Sequence, residues 1–276
     1  MSAAMGEVAA PEAANQAQEV KSCCAQFYES DVVRFLFGES FHPGGLALTT
    51  RLGEILGLKP SMRLLDVAAG RGTSALHLAE TFGCEVVGVD FGAENVRLAT
   101  EAAAERGLAE RVRFVQGDAE RLPFDDASFD AVVCECAYCT FPDKPQAARE
   151  FFRVLKPGGQ VGLSDLTRRG PLAPALETLL AWVACIADAR PVEDYTALLA
   201  AAGFAPGVVE PHDAALGEMV ASVRAKLLGA ELMVALKKLT LPDVDFPKAK
   251  QVTQSAADAV ARGELGYAII TAVKAK

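Results

Sequence analysis

Apolar and polar positions alternate between residues 63 and 167 in a way that predicts short strands separated by amphipathic helices. The strand segments are rich in β-branched residues, and the helical segments repeat apolar residues every three or four positions. Strands that alternate with helices indicate a parallel sheet covered on both sides. The predicted strands are Arg63–Val67, Glu85–Val89, Val112–Gln116, Asp130–Cys134 and Gln160–Ser164, and the predicted helices are Gly72–Phe82, Ala93–Arg106 and Lys144–Leu155, the last followed by a turn at Lys156–Gly159.

The pattern on either side of this region is mostly helical. Two further short strands bring the total to seven, so we predict an α/β fold with a mostly parallel sheet and helices on both faces. Helices are expected at Ser22–Phe37, Leu46–Leu56, Ala173–Ala187, Val192–Ala202, Ala214–Leu239 and Phe246–Arg262, and strands at Val208–Pro211 and Gly266–Val273. The expected divisions are a disordered stretch 1–20, an N-terminal helical cap 21–60, a core 61–211, a helical insertion or lid 212–263, and a closing strand 264–276 that completes the core.

A glycine-rich turn follows the first predicted strand, in the order Asp66-Val67-Ala68-Ala69-Gly70-Arg71-Gly72-Thr73-Ser74. Glycines let the backbone approach a ligand closely, and the N-terminus of the next helix favours a carboxylate or a phosphate. The spacing alone also fits a dinucleotide-binding turn. However, an acid such as Asp66 at the strand end suits a positive amino group and would repel a pyrophosphate.

Acidic residues also stand at the ends of the second and third predicted strands. Asp90 stands 18 residues after Gly72, where an acid that binds ribose hydroxyls is usual. Asp118 lies in Gly117-Asp118-Ala119 and can accept a hydrogen bond from an adenine amino group, while Phe91 can pack on the adenine face. Because parallel strands end at one edge of the sheet, these side chains are expected to line one nucleoside site.

Together these motifs resemble class I S-adenosylmethionine methyltransferases, which have a Rossmann-like fold. Further matches are Leu122-Pro123-Phe124, Phe129-Asp130-x-Val132 and Arg153-Val154-Leu155-Lys156-Pro157-Gly158-Gly159, the last typical of members that act on small molecules. One departure is Ala68, where the family usually has glycine. The resemblance implies S-adenosylmethionine as the cofactor. The predicted cofactor-binding residues are Asp66, Ala68, Gly70, Gly72, Thr73, Ser74, Asp90, Phe91, Gly117, Asp118, Ala119, Cys134 and Glu135.

Composition narrows the partners and the compartment. The net charge of -9 disfavours phosphate backbones and anionic membrane surfaces, so we expect neither nucleic acid nor membrane as a partner. No apolar run is long enough for a transmembrane span, and we expect no secretory signal. Seven cysteines, an odd number, fit reduced thiols in the cytoplasm better than a disulfide framework. The oligomeric state stays open, with a homodimer among the possibilities.

Cysteines cluster just after the fourth predicted strand, in Cys134-Glu135-Cys136-Ala137-Tyr138-Cys139. Three interpretations compete. The thiols can pack as small apolar side chains, as suits Cys84 and Cys134. They can hold structural zinc, although no second Cys-x-x-Cys motif is present. They can also capture a soft, thiophilic substrate such as trivalent arsenic.

The segment Cys136–Lys144 resembles arsenite methyltransferases, in which a cysteine precedes Pro-Asp-Lys, and Trp182–Ile186 is similar to that family's second metalloid-binding segment. The resemblance implies that Cys136 and Cys185 bind arsenic. Glu135 and Cys139 depart from the pattern, since that family tends to have asparagine there, and this puts the substrate in doubt. The candidate substrate-binding residues are Cys23, Cys24, His42, Cys136, Cys139 and Cys185.

The predicted function is therefore methyl transfer to a small molecule, either trivalent arsenic or an organic oxygen, nitrogen or carbon acceptor. Cys136, Cys185 and Glu135 are the predicted catalytic residues, and no resident metal is expected. Arsenic has its own lone pair, whereas an organic acceptor benefits from a base, for which Glu135, His42 and Asp165 are candidates. Two other classes remain: a nucleotide-dependent oxidoreductase and a catalytically silent metalloid sensor.

Overall fold

The computed structural model describes residues 21–22, 38, 41–176, 185–238 and 245–276. Its regular elements alternate between strands and helices up to residue 168, as the sequence predicts. In chain order they are α1 (Gly45–Ile55), β1 (Arg63–Val67), α2 (Thr73–Phe82), β2 (Glu85–Asp90), α3 (Ala93–Glu105), β3 (Val112–Gln116), β4 (Phe129–Glu135), α4 (Lys144–Val154), β5 (Leu155–Arg168), α5 (Val192–Ala201), β6 (Phe204–Pro211), α6 (Asp213–Ala235), α7 (Phe246–Ala261) and β7 (Leu265–Lys274). Single 3-10 turns lie at Tyr138–Thr140 and Pro174–Leu176.

The seven strands form one sheet in the order β3-β2-β1-β4-β5-β7-β6. Strands β1 to β5 are parallel, and β7 inserts antiparallel between β5 and β6. This confirms the predicted Rossmann-like fold. The chain order reverses between β1 and β4, so the connections leaving these two strands diverge and open a crevice at their carboxyl ends.

The central strands are apolar because both faces of the sheet are covered. Leu64, Leu65, Val132 and Val133 are fully buried, as expected of a parallel sheet between helix layers. Helix α4 begins at Asp143, whose carboxylate caps the backbone N–H of Gln146, and Pro145 occupies its first turn. This cap fixes where the chain re-enters the fold after the cysteine-rich loop.

Several boundaries differ from the sequence-based predictions, and the differences are largest for β5, β6 and α6. The expected turn at Lys156–Gly159 lies inside β5, where the pairing register with β4 shifts between Phe129 and Ala131. Strand β6 begins at Phe204 and not at Val208, because it is an edge strand and tolerates Pro206. Helix α6 ends at Ala235, before the predicted Leu239.

Several predictions fall on residues outside the described ranges. These are the stretch 1–20, most of the helix Ser22–Phe37 including Cys23 and Cys24, and positions 177–184 of the helix Ala173–Ala187. Helices α6 and α7 stand between β6 and β7, as the insertion was expected to stand. The division into cap, core, lid and closing strand stays a prediction. Within the described ranges, no helix has the length and apolar character that a membrane span requires.

Candidate functional site

The turn between β1 and α2 forms the floor of the crevice. Gly70 and Gly72 have left-handed backbone conformations, with φ of 53° and 81°. A Cβ at Gly72 would lie 2.5 Å from the ring of Phe114, so this glycine is required for packing at the start of α2. A Cβ at Gly70 would meet no atom within 4 Å, so here the space is open towards the crevice. Ala68 adopts the same left-handed region, with φ of 60°.

Asp66 at the end of β1 is buried, and its Oδ2 atom has no hydrogen-bond partner among the described residues. Burial raises the pKa of this carboxyl well above its ordinary value, and the neighbouring Glu135 and Asp90 raise it further. A buried, unpaired carboxyl that lines a cavity is costly unless a cationic group arrives to pair with it.

Asp90 at the end of β2 is held in one orientation by three donors. Its Oδ2 accepts from the backbone N–H of Gly70 at 2.8 Å, and its Oδ1 accepts from Gly92 N at 2.8 Å and from Asn95 Nδ2 at 3.1 Å. Burial raises its pKa, while these donors oppose the increase. Asp90 therefore ties the glycine-rich turn to β2 and keeps a carboxylate at the rim of the crevice.

Beyond β3, Asp118 accepts a hydrogen bond from Glu120 N at 2.9 Å and pairs with the Lys21 ammonium at 2.8 Å. Lys21 also contacts the Glu120 carboxylate. These contacts place Lys21 beside Asp118, 97 residues away in the chain. Sequence reasoning missed Lys21, because nothing in its local spacing indicates so distant a partner.

One cavity collects most of the residues that the sequence pointed to. From the floor it is lined by Asp66, Ala68, Gly70, Thr73, Ser74, Asp90, Phe91, Gly117, Asp118 and Ala119, and from the side by His42, Glu135 and Cys136. The residues that sequence reasoning missed are Lys21, Phe41, Val67, Ala69, Arg71, Val89, Asn95, Ala137, Thr140, Phe141 and Pro142.

Four predicted site residues lie outside the lining. Gly72 caps α2 beside Phe114. Cys134 is fully buried in the core, because neighbours on a strand face opposite sides and Glu135 takes the side that faces the cavity. Cys139 and Cys185 are also buried, behind Cys136. A direct contact of Cys134 with the cofactor is thus at odds with the strand geometry.

Glu135 at the end of β4 is saturated with internal partners. Its Oε1 accepts from Ser164 Oγ at 3.1 Å, and its Oε2 accepts from Thr49 Oγ1 at 3.0 Å. The Nε2 atom of His42 lies 3.5 Å from the same Oε2. The carboxylate therefore joins the Phe41–Gly45 turn to the sheet.

Cys136 follows β4 directly and has a left-handed backbone conformation, with φ of 52°. The Cys185 thiol donates to the Cys136 carbonyl at 2.9 Å, and Cys185 also has a left-handed φ of 63°. The pKa of the Cys136 thiol is raised well above its ordinary value by its hydrogen bond with Cys185 and by burial. The thiol pKa of Cys139 is raised by burial and by Cys185. These thiols are protonated at neutral pH.

Asp165 in β5 lies beneath these thiols. It is fully buried, and it accepts from Cys139 N and Leu166 N, each at 2.8 Å. Burial, followed by the proximity of Cys185, raises its pKa to about 7. Across the described ranges, no group of three or more histidine, cysteine, aspartate or glutamate side chains is arranged to hold a metal ion, and none of the described cysteines forms a disulfide.

Comparison with known proteins places this crevice in a family context. Residues 65–163 match the family model described as a methyltransferase domain. Phosphoethanolamine N-methyltransferase 3 of Arabidopsis thaliana is 32% identical over 188 residues, which is 67% of this chain and 38% of that protein. The chain thus spans well under half of that relative. Methyltransferase GfsG of Streptomyces halstedii is 28% identical over 262 residues, covering 89% of this chain and 91% of that protein.

Solved structures share the fold over most of the chain. The [4+2]-cyclase SpnF superposes with a TM-score of 0.74 at 25% identity, covering 94% of this chain and 96% of that one. Phosphoethanolamine N-methyltransferase 2 of Haemonchus contortus, solved with S-adenosylhomocysteine, has a TM-score of 0.74 at 23% identity and covers 88% of this chain and 56% of that one. Residues 65–163 are thus similar in sequence to a methyltransferase domain, and most of the chain shares the fold of these solved structures.

Proposed function

We propose that this protein transfers the methyl group of S-adenosylmethionine to a small organic molecule bound beside the end of β4. The observation that carries the proposal is the Asp66 carboxyl, which is buried, lines the cavity and has an oxygen without a hydrogen-bond partner in the described structure. S-adenosylmethionine brings an ammonium group and a sulfonium, and such positive charges stabilise a buried carboxylate. The residues present therefore fit this cofactor.

Each part of the cofactor can be matched with residues that line the cavity. Asp66 would pair with the ammonium, and the N-terminus of α2 at Thr73 and Ser74 would attract the carboxylate. Asp90 would accept from the ribose hydroxyls, because its remaining lone pairs face the cavity rim. At the adenine end, Phe91 offers a ring face, and Gly117, Asp118 and Ala119 offer the edge of β3.

The bound cofactor supplies the electrophilic methyl group and a neutral leaving group. The protein's part is to align the acceptor with that methyl and to keep water away. In this chain the alignment would come from the residues around Glu135 and Cys136 at the end of β4, and the cover from Phe41 and Phe141. These side chains make a mixed wall, apolar on two sides and acidic on the third.

The relatives favour an organic acceptor. Those named for a substrate include phosphoethanolamine N-methyltransferases, a sterol 24-C-methyltransferase of Gibberella zeae and a demethylmenaquinone methyltransferase of Deinococcus radiodurans. These names cover nitrogen and carbon acceptors in organic molecules. A similar structure belongs to a cyclase, so the fold alone does not require methyl transfer.

A second candidate acceptor is trivalent arsenic, held by Cys136 and Cys185. The observation in its favour is the contact between the Cys185 thiol and the Cys136 carbonyl at 2.9 Å, which places the buried Cys185 next to a residue that lines the cavity. Soft thiolate ligands suit a soft centre. The pKa of the Cys136 thiol is raised well above its ordinary value, and this thiol would have to release its proton on binding, so arsenite binding would become tighter as the pH rises.

A nicotinamide-dependent oxidoreductase fits this cavity less well. Its cofactor would bring a pyrophosphate to the glycine-rich turn, next to the buried Asp66 carboxyl. Calorimetric titration with S-adenosylhomocysteine and with NAD distinguishes the two readily. We expect the first ligand to bind and the second not to bind, and tight NAD binding would overturn the proposal.

The acceptor is identified by a mass-resolved product screen with labelled cofactor. The screen offers arsenite with a thiol in one arm and a panel of phenols and amines in the other. Wild type, Cys136→Ser, Cys185→Ser and the control Cys84→Ala are compared, since Cys84 is a buried thiol remote from the cavity lining. Labelled organic product in all four variants supports an organic acceptor. Methylated arsenic that is lost only with Cys136→Ser and Cys185→Ser supports the second candidate, and no product in either arm contradicts methyl transfer to these classes.

A further inference from the structure

A buried chain of polar side chains runs behind the cavity wall at the end of β4. Its centre is Glu135, which lines the cavity and has a nearly fully buried side chain. Three residues distant in sequence contact it: His42 and Thr49 on one carboxylate oxygen, and Ser164 on the other. A carboxylate so fully provided with partners keeps a single orientation.

The hydrogen bonds of His42 define where its proton moves. Its Nδ1 atom lies 3.1 Å from the Pro43 carbonyl, which can only accept, so Nδ1 carries a hydrogen. The atom that gains or loses a proton is therefore Nε2. It lies 3.2 Å from Thr49 Oγ1 and 3.5 Å from Glu135 Oε2, and the ring itself lines the cavity.

The Thr49 hydroxyl has one hydrogen and two neighbours that can receive it. When it donates to Glu135 Oε2, His42 Nε2 must carry a hydrogen and donate to Thr49. When it donates to His42 Nε2, the Glu135 oxygen is available to a proton from elsewhere. The two arrangements differ by one proton added to the network, so Thr49 links the base to the histidine.

The other carboxylate oxygen is fixed from the sheet. Ser164 Oγ donates to Glu135 Oε1, and Tyr267 OH lies 3.1 Å from that Ser164 Oγ and 2.9 Å from the Ser164 carbonyl. The same carbonyl accepts from Cys136 N at 2.6 Å. Strands β4, β5 and β7 thus hold the carboxylate and the adjoining cavity wall in register.

We propose that Glu135 and His42 together accept a proton from the methyl acceptor, so that the substrate is a hydroxyl or ammonium compound whose nucleophilic atom must lose a proton. This inference rests on the proposed methyl transfer and names its substrate class. Thr49, Ser164 and Tyr267 are positioning residues. A metalloid with a free lone pair would leave this proton-accepting pair without a role.

Methyl transfer and proton transfer together conserve atoms and electrons. The acceptor atom forms a bond to the methyl carbon while the carbon–sulfur bond of the donor breaks and its electron pair returns to sulfur. The acceptor's proton passes to Glu135 Oε2, and through the Thr49 hydroxyl to Nε2 of His42. The doubly protonated ring then faces the Glu135 carboxylate, and the proton leaves to solvent once the product has gone.

Other titratable groups lie near Glu135 and His42, and their effects on a pH profile must be distinguished from those of this pair. Asp66 on β1 and Tyr267 on β7 lie near Glu135, Cys136 follows Glu135 in the chain, and Asp165 on β5 lies near Cys136. Among these, Asp66 belongs to the proposed cofactor site. A pH profile is therefore read as the difference between wild type and a variant that lacks only one member of the pair.

The test uses the full chain as wild type, His42→Asn, Glu135→Gln and the control His77→Asn. His77 is a matched control because its Nε2 contacts Thr50 Oγ1 at 2.7 Å, much as His42 contacts Thr49, but it does not line the cavity. Turnover of the phenol and amine panel is measured from pH 5 to pH 9, together with S-adenosylhomocysteine affinity. We expect kcat to fall about 100-fold or more for His42→Asn and Glu135→Gln. Both should lose the acidic limb of the profile, while His77→Asn follows wild type.

Two further measurements separate chemistry from folding. S-adenosylhomocysteine affinity of His42→Asn should stay within about threefold of wild type. Nitrogen NMR should show that Nδ1 of His42 remains protonated when the ring is neutral. For Thr49, we expect Thr49→Val to lower kcat about tenfold and Thr49→Ser to restore it, since only the latter keeps the hydroxyl.

The outcomes separate this inference from the proposed function. Turnover of phenols or amines that is insensitive to both His42→Asn and Glu135→Gln would overturn the proton-accepting pair and leave methyl transfer intact. Turnover of arsenite alone would overturn the substrate class and support the second candidate. No turnover of any compound, despite cofactor binding, would overturn both.

Discussion

The buried carboxyls Asp66 and Glu135 line different halves of the crevice and differ in how far the fold supplies them with hydrogen-bond partners. In the cofactor half, Asp66 Oδ2 is buried and has no partner in the described structure. In the acceptor half, Glu135 and Asp165 receive hydrogen bonds on both oxygens, from Ser164 and Thr49 in one case and from Cys139 and Leu166 in the other. Asp66 lacks a partner that an external cation can supply, whereas the fold itself already supplies hydrogen bonds to Glu135 and Asp165.

This difference indicates which part of the site depends on a bound ligand for its stability. An unsatisfied buried acid destabilises the empty fold and is stabilised when a cationic cofactor binds, so binding and stability are coupled at Asp66. A saturated carboxylate is ready for chemistry before any ligand arrives. Mutations should therefore separate the halves by their opposite effects on stability and binding.

The largest expected effect is the pH dependence caused by Asp165, whose pKa is about 7 in the folded protein and 3.8 in its ordinary environment. Below pH 3.8 both folded and unfolded states bind the proton, so ionisation costs nothing. Between pH 3.8 and 7 only the unfolded state loses it, and stability falls as pH rises. The shift corresponds to at most about 4 kcal/mol, fully lost above pH 7.

Urea unfolding of wild type and Asp165→Asn between pH 5 and pH 8 measures this effect. We expect a clearly shallower pH dependence in the variant, because its amide does not ionise. The variant also loses one acceptor, so its stability at pH 5 should be lower than that of wild type by about 1–3 kcal/mol. An unchanged slope would show that Asp165 does not titrate in this range.

The second effect tests the cofactor half with Asp66→Asn. Removing a buried carboxyl whose pKa is raised by burial should increase the stability of the ligand-free protein at pH 8, because the variant does not bear the cost of ionising that group in the folded state. At the same time, loss of a charged hydrogen bond should weaken S-adenosylhomocysteine binding by roughly 10- to 100-fold. Thermal unfolding and calorimetry measure the two quantities. If both stability and affinity fell, Asp66 would be a structural residue.

Much of this division was visible in the sequence. The Rossmann-like fold and the strands Arg63–Val67 and Val112–Gln116 follow from local patterns, and the structure reproduces both strands to the residue. Asp66, Asp90 and Asp118 could be placed in one site because parallel strands end at a common edge. These inferences need only local chain geometry and a known topology.

The acceptor half could not be predicted in the same way. Glu135 meets Thr49 across 86 residues, and Tyr267 meets Ser164 across 103, so no local pattern reveals either contact. Cys134 was assigned to the cofactor site together with Glu135, although strand alternation sends the two side chains to opposite faces. The predicted strand Val208–Pro211 covers only the second half of β6, an edge strand that begins at Phe204 and tolerates Pro206.

The third prediction concerns a variant in which a carboxyl of the acceptor half loses a hydrogen-bond donor and so comes to resemble Asp66. Ser164→Ala removes the donor to Glu135 Oε1 and leaves that buried oxygen without it. We expect a loss of about 1–2 kcal/mol in the free energy of unfolding. As a control, Ser128→Ala removes a hydroxyl that bonds the Asp125 carbonyl near the surface and should cost less than about 0.5 kcal/mol. Equal losses in the two variants would contradict the distinction between the halves.

The smallest effect concerns the backbone of the cofactor turn. Ala68 and Ala127 are both alanines in the left-handed region, with φ of 60° and 50°, but only Ala68 lines the cavity. Glycine would relieve about 1 kcal/mol of left-handed strain and lose a similar amount through greater freedom of the unfolded chain. Both Ala68→Gly and Ala127→Gly should therefore change stability by less than about 0.5 kcal/mol.

Only the Ala68 variant should alter ligand binding. A more mobile turn must be ordered when the cofactor binds, so S-adenosylhomocysteine affinity should fall about two- to threefold for Ala68→Gly and stay constant for Ala127→Gly. If Ala68→Gly bound more tightly, the left-handed strain at this position would be opposing the cofactor.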